Sequence, residues 1–244
     1  MILQQSGPLT LFFTDKKHAF PKEAWRTCPS SQELLSEPPF QFLCQYGSKE
    51  LILTDQTHGT NGLIITSHEQ AQTYKPYSCQ ADFIVTNVPG TALGIATADC
   101  LPLMLYDPVN NVIAAVHAGW QGTVKGIAQK TVETMCAHFG TNPTDIQAFF
   151  GPSASVEAYE VSADFAKNIP ASCSFVDDVF KERNGRYYFD VPLYNQRLLE
   201  QMGVTSYNRD YNECTITHHQ YCSYRREKEL GLRQVSIAML KEKL

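Results

Sequence analysis

The sequence predicts an α/β (α+β) fold in which helices pack on mixed β-sheets. Three observations lead there. Short β-rich apolar runs are interleaved with segments of helical spacing, the pattern of a layered α/β domain. The turn Asp107-Pro108-Val109-Asn110-Asn111 joins two apolar runs as a hairpin, which a regular parallel βαβ sheet lacks. A chain of 244 residues with 43% hydrophobic and 18% charged side chains can bury one large core. Residues 1–244 therefore read as one domain, with a weakly patterned part over 1–50 and a well-patterned part over 51–240.

In chain order, Leu9–Phe13 reads as a strand, followed by irregular chain around Pro21, Pro29, Pro38 and Pro39. A second short strand is expected over Phe40–Tyr46. Leu51–Thr54 reads as a strand ending in a turn at His58-Gly59, and Asp82–Asn87 as a β-rich run stopped by Pro89-Gly90. Leu93–Tyr106 is a long apolar stretch interrupted by Asp99 and Cys100. Val112–His117 is expected as a buried strand ending at Gly119. Thr123–Phe139 has helical spacing, with Val124, Ile127, Ala128, Thr131, Val132, Met135 and Phe139 on one face and Gly140 suited to the C′ position. Asp145–Phe150 reads as a strand and Ser162–Asn168 as a short helix. Asp190 is a natural N-cap for a helix to Met202, with Pro192 in its first turn and Gly203 past its end. Gln234–Leu240 closes the chain as a strand.

The formal net charge of −5, without clustered cations, argues against nucleic acid as a partner. No stretch reaches the roughly 18–20 apolar residues of a membrane span. The first residues, MILQQSGPLTLFFTDKK, carry no basic region ahead of the apolar ones, so no signal peptide is expected. The eight cysteines show no CxxC spacing and read as mostly reduced thiols of a cytoplasmic protein.

Three segments each place a metal-competent side chain at the end of an apolar run, beside small or turn residues. They contain His58, Cys100 and His117. Two imidazoles and a thiolate suit zinc and leave a fourth position open, the catalytic arrangement. The gaps of 42 and 17 residues match no compact zinc-finger spacing. A buried cysteine, a core histidine and a turn histidine would give the same pattern, and so would a cysteine hydrolase with Cys100 as nucleophile and His117 as base. Two adjacent arginines, Arg225 and Arg226, follow an aromatic residue and suit a phosphate or carboxylate; two solvated charges are the plainer alternative. His218-His219 beside Cys214 reads as a polar loop. Ser153 lacks the G-x-S-x-G context of a nucleophile elbow.

The motifs Gln56-Thr57-His58-Gly59, Thr97-Ala98-Asp99-Cys100-Leu101-Pro102 and His117-Ala118-Gly119-Trp120-Gln121-Gly122 run in order. They are followed by Gly151-Pro152, Tyr159-Glu160-Val161, Cys214-Thr215 and Ser223-Tyr224-Arg225-Arg226. Together they resemble the multicopper polyphenol oxidoreductase (laccase-domain) family, also called the peptidoglycan editing factor family. Its members are described as zinc-dependent purine nucleoside phosphorylases. The resemblance implies that His58, Cys100 and His117 are zinc ligands. It also implies phosphorolysis of adenosine, inosine, guanosine and methylthioadenosine, deamination of adenosine, and a fold similar to that of the cytotoxic necrotizing factor toxins. On this reading Cys100, His117, Asp99 and Arg225 are the catalytic candidates, while Trp120, Tyr224 and Arg226 contact substrate. Purine nucleosides and phosphate are the expected partners, and the oligomeric state is left open between monomer and dimer.

Two departures stand out. Where the family carries an S-T-R-x-G-G-V-S segment, this chain has Phe13-Thr14-Asp15-Lys16, and Gln121 stands where arginine is usual. Lys16, Lys17 or Arg225 are then the cations expected to meet phosphate. Copper-dependent phenol oxidation is a weaker alternative, because no methionine is an obvious axial ligand. A zinc-binding non-enzyme is the remaining one.

Overall fold

Two six-stranded sheets stacked face to face organise the chain, and the computed structural model describes residues 1–242. In order, the elements are β1 (Ile2–Ser6), β2 (Leu9–Phe13), β3 (Phe20–Pro21), α1 (Ser31–Leu34), β4 (Glu50–Leu53), β5 (Gly62–Ile65), α2 (His68–Thr73) and β6 (Phe83–Thr86). Next come β7 (Thr91–Thr97), β8 (Leu101–Asp107), β9 (Val112–Ala118), α3 (Trp120–Val124), α4 (Ile127–Phe139), β10 (Gln147–Phe150), β11 (Glu160–Val161) and α5 (Val176–Val179). The last are β12 (Phe180–Arg183), β13 (Arg186–Phe189), α6 (Val191–Gln201), β14 (Ser206–Asn208) and β15 (Leu232–Leu240).

The front sheet runs β1-β2-β15-β7-β4, with β3 paired to the start of β15; the back sheet runs β14-β10-β8-β9-β6-β5. Both are mixed: β4/β7, β5/β6 and β10/β14 are parallel, and the other pairs antiparallel. A small sheet, β11-β13-β12, sits apart from them.

Strand periodicity explains the layering. Ile113 and Ala115 of β9, with Met104 and Tyr106 of β8, pack against Leu93, Ile95 and Ala238 of the front sheet. The alternate residues Val112, Ala114, Val116, Leu103 and Leu105 pack against Ile127, Val132 and Met135 of α4 and Leu198 of α6. These strands are covered on both faces, so they read as continuous apolar runs. The outer face of the front sheet (Phe12, Leu51, Val235, Ile237) is covered by Phe20, Leu34, Phe40 and Leu43 from the irregular N-terminal chain.

The expected mixed α+β class is what the structure shows. Local corrections follow from particular residues. Residues 40–46 are not a strand: Gln41–Tyr46 is a 3-10 helix, ended by Gly47 at φ 85°. Its apolar Phe40 and Leu43 are three apart and share a buried face, a helical spacing. The helix expected over 123–139 is two, because Gly126 at φ 81° breaks it between α3 and α4. The apolar stretch 93–106 is two strands, β7 and β8, separated where Asp99 takes φ 81°. The short helix near Ser162 is a 3-10 turn over Ala163–Asn168. α6 starts as expected: Asp190 Oδ1 accepts from the Leu193 amide at 2.8 Å.

Among the described residues, no helix is long and apolar enough to cross a membrane, and all eight cysteines are free thiols. The fold brings the end of β7, the start of β8 and the end of β9 to one edge, where Pro102 pairs with His117 and Thr97 with Gln234.

Candidate metal centre

His117 enters from the end of β9, Cys100 from the turn before β8, and His58 from the loop after β4. One ligand atom from each lies within 4.8 Å of the others. Cys100 Sγ is 3.7 Å from His58 Nε2, and the two imidazole rings meet edge to face at 4.7 Å.

Asp82, fully buried at the head of β6, organises the group. Its Oδ1 accepts from His117 Nδ1 at 2.8 Å and from the His58 amide at 2.8 Å. Its Oδ2 accepts from the Gly59 amide at 2.7 Å and from Thr57 Oγ1 at 3.0 Å. A carboxylate that only accepts fixes the proton on Nδ1 of His117 and leaves Nε2 for a metal. Burial pushes the Asp82 carboxyl up, but the His117 imidazole and the amides outweigh it and hold it at about 2. Burial likewise raises the Cys100 thiol, yet His117 and His58 bring it down to about 6. Burial pulls His117 down, and the Cys100 sulfur and Asp82 carboxylate raise it to about 9.

Close packing keeps the three together. A Cβ on Gly119 would lie 2.7 Å from His58 Cδ2 and 3.1 Å from Cys100 Sγ, so only glycine fits between β9 and α3. Gln56 clamps the His58 loop to β7, donating to the Ala96 carbonyl at 2.8 Å and accepting its amide at 2.9 Å. His58 itself sits at φ 61°, a left-handed conformation that costs about 1–3 kcal/mol and that Asp82 holds through two amides.

The cluster opens into a cavity of about 690 Å³. Trp120, the first residue of α3, lines it with its ring against Phe165 at 5.1 Å. Tyr224 stands at the rim, 52% exposed, with the Arg233 guanidinium 5.8 Å from its ring centre. Arg225 also lines the cavity; its guanidinium lies 5.0 Å over the Tyr159 ring and donates once, to the Glu160 carbonyl.

Two candidates take other roles. Arg226 does not line the cavity: its nitrogens are spent on the Thr215, Ile216 and Tyr221 carbonyls and on Glu227. Asp99 lines it, but its carboxylate is engaged, accepting from Thr215 Oγ1 at 2.7 Å and from the Arg225 amide at 2.6 Å. Of the three expected substitute cations, Arg225 lines the cavity and the two lysines are elsewhere. Lys16 pairs with Glu227, and Lys17 is outside the cavity wall. The cations that do line it, besides Arg225, are Lys22, Arg26, Lys228 and Arg233, and none of these four belongs to a recognised motif. Asp82 was the other residue missed. Its signal is an acid opening a continuous apolar run, which must be buried with partners.

Comparison with known proteins identifies the family. The family model "Multi-copper polyphenol oxidoreductase laccase" matches residues 40–241. A Deinococcus radiodurans protein named purine nucleoside phosphorylase is 40% identical over 159 residues, 65% of this chain and 58% of that one. A Bacteroides thetaiotaomicron protein of the same name is 35% identical over 190 residues, 73% of this chain and 68% of that one. A protein named adenosine deaminase RL5, from an unknown prokaryotic organism, is 30% identical over 179 residues, 71% of this chain and 65% of its own length. In fold, the crystal structure of the Bacillus licheniformis hypothetical protein YfiH superposes with a TM-score of 0.76 at 22% identity, covering 98% of this chain and 99% of the other. With its three motif-borne side chains gathered at one edge and a family match over most of its length, the chain belongs to the multi-copper polyphenol oxidoreductase laccase family.

Proposed function

We propose that this chain is a zinc-dependent purine nucleoside phosphorylase that cleaves adenosine, inosine, guanosine and methylthioadenosine with phosphate and also deaminates adenosine. The observation that carries the reading is the convergence of His58, Cys100 and His117 on one cavity wall, with Asp82 behind His117. The donor set fits zinc: two imidazoles, one thiol already lowered to about 6, and a histidine whose second nitrogen is fixed by a carboxylate. It fits blue copper less well, because no methionine lines the cavity to serve as axial ligand. Zinc held by His58, Cys100 and His117 would supply Lewis acidity and acidify water at the cavity wall.

The chain's own residues do the rest. Trp120, Tyr159 and Tyr224 line the cavity as the aromatic side chains that would meet a flat purine. Burial pushes the Tyr159 phenol up to about 12, so it remains a hydrogen-bond donor at neutral pH. Arg225, with one donation spent, offers its remaining N–H groups to an oxyanion. Asp99 is a positioning residue: it ties the Arg225 amide and Thr215 to the turn that delivers Cys100. A cytoplasmic setting suits eight free thiols.

Adenosine incubated with metal-analysed protein, with and without phosphate, tests this by chromatography. Adenine formed only with phosphate supports the phosphorylase, and inosine supports the deaminase. No product at about one zinc per chain overturns the enzyme reading in favour of a zinc-binding non-enzyme. One observation favours a second reading: Cys100, His117 and Asp82 also have the order of a nucleophile, base and orienting acid. A cysteine hydrolase would keep its activity in chelator; a zinc enzyme would lose it.

A further inference from the structure

The cavity is charged in a way the chain is not. The formal net charge is −5, yet Lys22, Arg26, Arg225, Lys228 and Arg233 line the cavity against two carboxylates, Asp55 and Asp99. Asp55 is taken by Arg26 at 2.8 Å, and Asp99 by Thr215 and the Arg225 amide. The nearby acids are turned elsewhere, Glu23 to Arg26 and Glu227 to Lys16 and Arg226. Among the described residues, Lys22, Lys228 and Arg233 have no carboxylate partner.

Backbone pairing brings these three together. The Lys22 amide donates to the Gly231 carbonyl at 3.0 Å, and Arg233 pairs with Phe20 across β3 and β15. Lys228 opens the single turn that Gly231 closes at φ 59°. Because Gln234 pairs with Thr97, Arg233 stands beside the start of the segment 98–100 that delivers Cys100. Arg233 is also held in place, donating to the Leu232 carbonyl at 2.8 Å with its guanidinium over Tyr224. Cations gathered on a concave wall without counter-charges repel one another and concentrate anions.

We propose that Lys22, Lys228 and Arg233 form an oxyanion subsite in the cavity wall that seats a phosphate group. The subsite rests on the charge geometry; only its use for a co-substrate rests on the phosphorylase reading. The phosphate could be inorganic phosphate or the phosphate monoester of a nucleotide, and the two are separable.

Calorimetric titration of the zinc-loaded protein with inorganic phosphate, and separately with adenosine 5′-monophosphate, tests the subsite. Lys22→Ala combined with Lys228→Ala changes two exposed side chains and leaves the fold intact; Arg233→Gln probes the third. Each lost charge-assisted bond is expected to weaken phosphate binding about tenfold. Lys17→Ala, which removes one charge outside the cavity as Arg233→Gln does inside it, is expected to change nothing. Tighter binding of the nucleotide than of phosphate, with both weakened in the variants, assigns the subsite to a nucleotide phosphate; the reverse order assigns it to inorganic phosphate. Absence of binding to the wild type, or equal binding by variants and wild type, overturns the subsite. Phosphorolysis with an unchanged KM for phosphate in the variants overturns the subsite and spares the phosphorylase. Variant-sensitive phosphate binding without any phosphorolysis spares the subsite and overturns the phosphorylase.

Discussion

Asp82 Oδ1 and His117 Nδ1 are 2.8 Å apart at a point where Asp82 is 0% and His117 3% exposed. The same carboxylate holds the amides of His58 and Gly59, so one buried acid sets the orientation of two candidate ligands from two different elements. Asp82→Asn keeps the side-chain shape but removes the charge that fixes the His117 tautomer. Zinc affinity is expected to fall about 10–100-fold, read by competition with a chromophoric chelator. Unchanged affinity would mean that Asp82 supports only the fold.

Gly119 gives a prediction that separates site from fold. A methyl group there would sit 2.7 Å from His58 Cδ2, so Gly119→Ala is expected to displace His58 and lower zinc content. Gly140→Ala is the contrast: it meets nothing within 4 Å but has φ 68°, and should cost about 1–2 kcal/mol of stability with zinc content unchanged. Metal analysis and thermal unfolding of the two variants check the difference.

Arg225 and Arg226 are neighbours in sequence with opposite expected phenotypes. Arg226 donates to three carbonyls and Glu227, so Arg226→Gln should lower stability by about 1.5–3 kcal/mol. Arg225 faces the cavity with one donation spent, so Arg225→Gln should raise the KM for phosphate with little change in unfolding midpoint. Equal destabilisation by both would remove Arg225 from the substrate side.

How far this was legible follows from where each signal lies. His58, Cys100 and His117 were readable because short motifs carry them at strand ends. Asp82 was readable only as an acid that must be buried with partners; those partners come from 23 to 35 residues away, and only the fold joins them. Lys22, Lys228 and Arg233 were invisible for the same reason: a two-residue strand pairing with the last strand assembles them. Arg226 was misread because a sequence cannot show that its donors are already satisfied. Among the strands, the β12–β13 hairpin was missed although Asn184-Gly185, both at positive φ, is a strong turn signal. The layered core was legible, because strands covered on both faces must be continuously apolar.

Asp107 allows a pH test away from the candidate metal centre. Burial pushes its carboxyl up, but Asn110 and the turn amides outweigh this and hold it below the usual value. A depressed carboxyl adds stability above its unfolded value, and that stability is lost as pH falls through the folded one. Asp107→Asn should therefore be destabilised relative to wild type at pH 7, with the gap closing below about pH 4. Denaturant midpoints at pH 7, 5 and 3 check this, and a gap constant with pH would show that shape, not charge, is what the turn needs.

Treatment with a chelator should expose the chemistry of Cys100. His117 and His58 lower the Cys100 thiol, which favours the reactive thiolate in the metal-free protein. Cys28 and Cys136 are raised by burial, and Cys222 is pushed up to about 11. Iodoacetamide in the presence of a chelator should therefore modify Cys100 well ahead of these three, read as peptide masses over time. Zinc added beforehand should suppress that reaction, because the sulfur lone pairs are then engaged. If zinc-loaded protein is alkylated at Cys100 as fast as metal-free protein, the sulfur is not a ligand. The Cys100–His117–Asp82 arrangement would then have to be understood as a nucleophile with its base, and activity lost on alkylation but kept in chelator would follow from it.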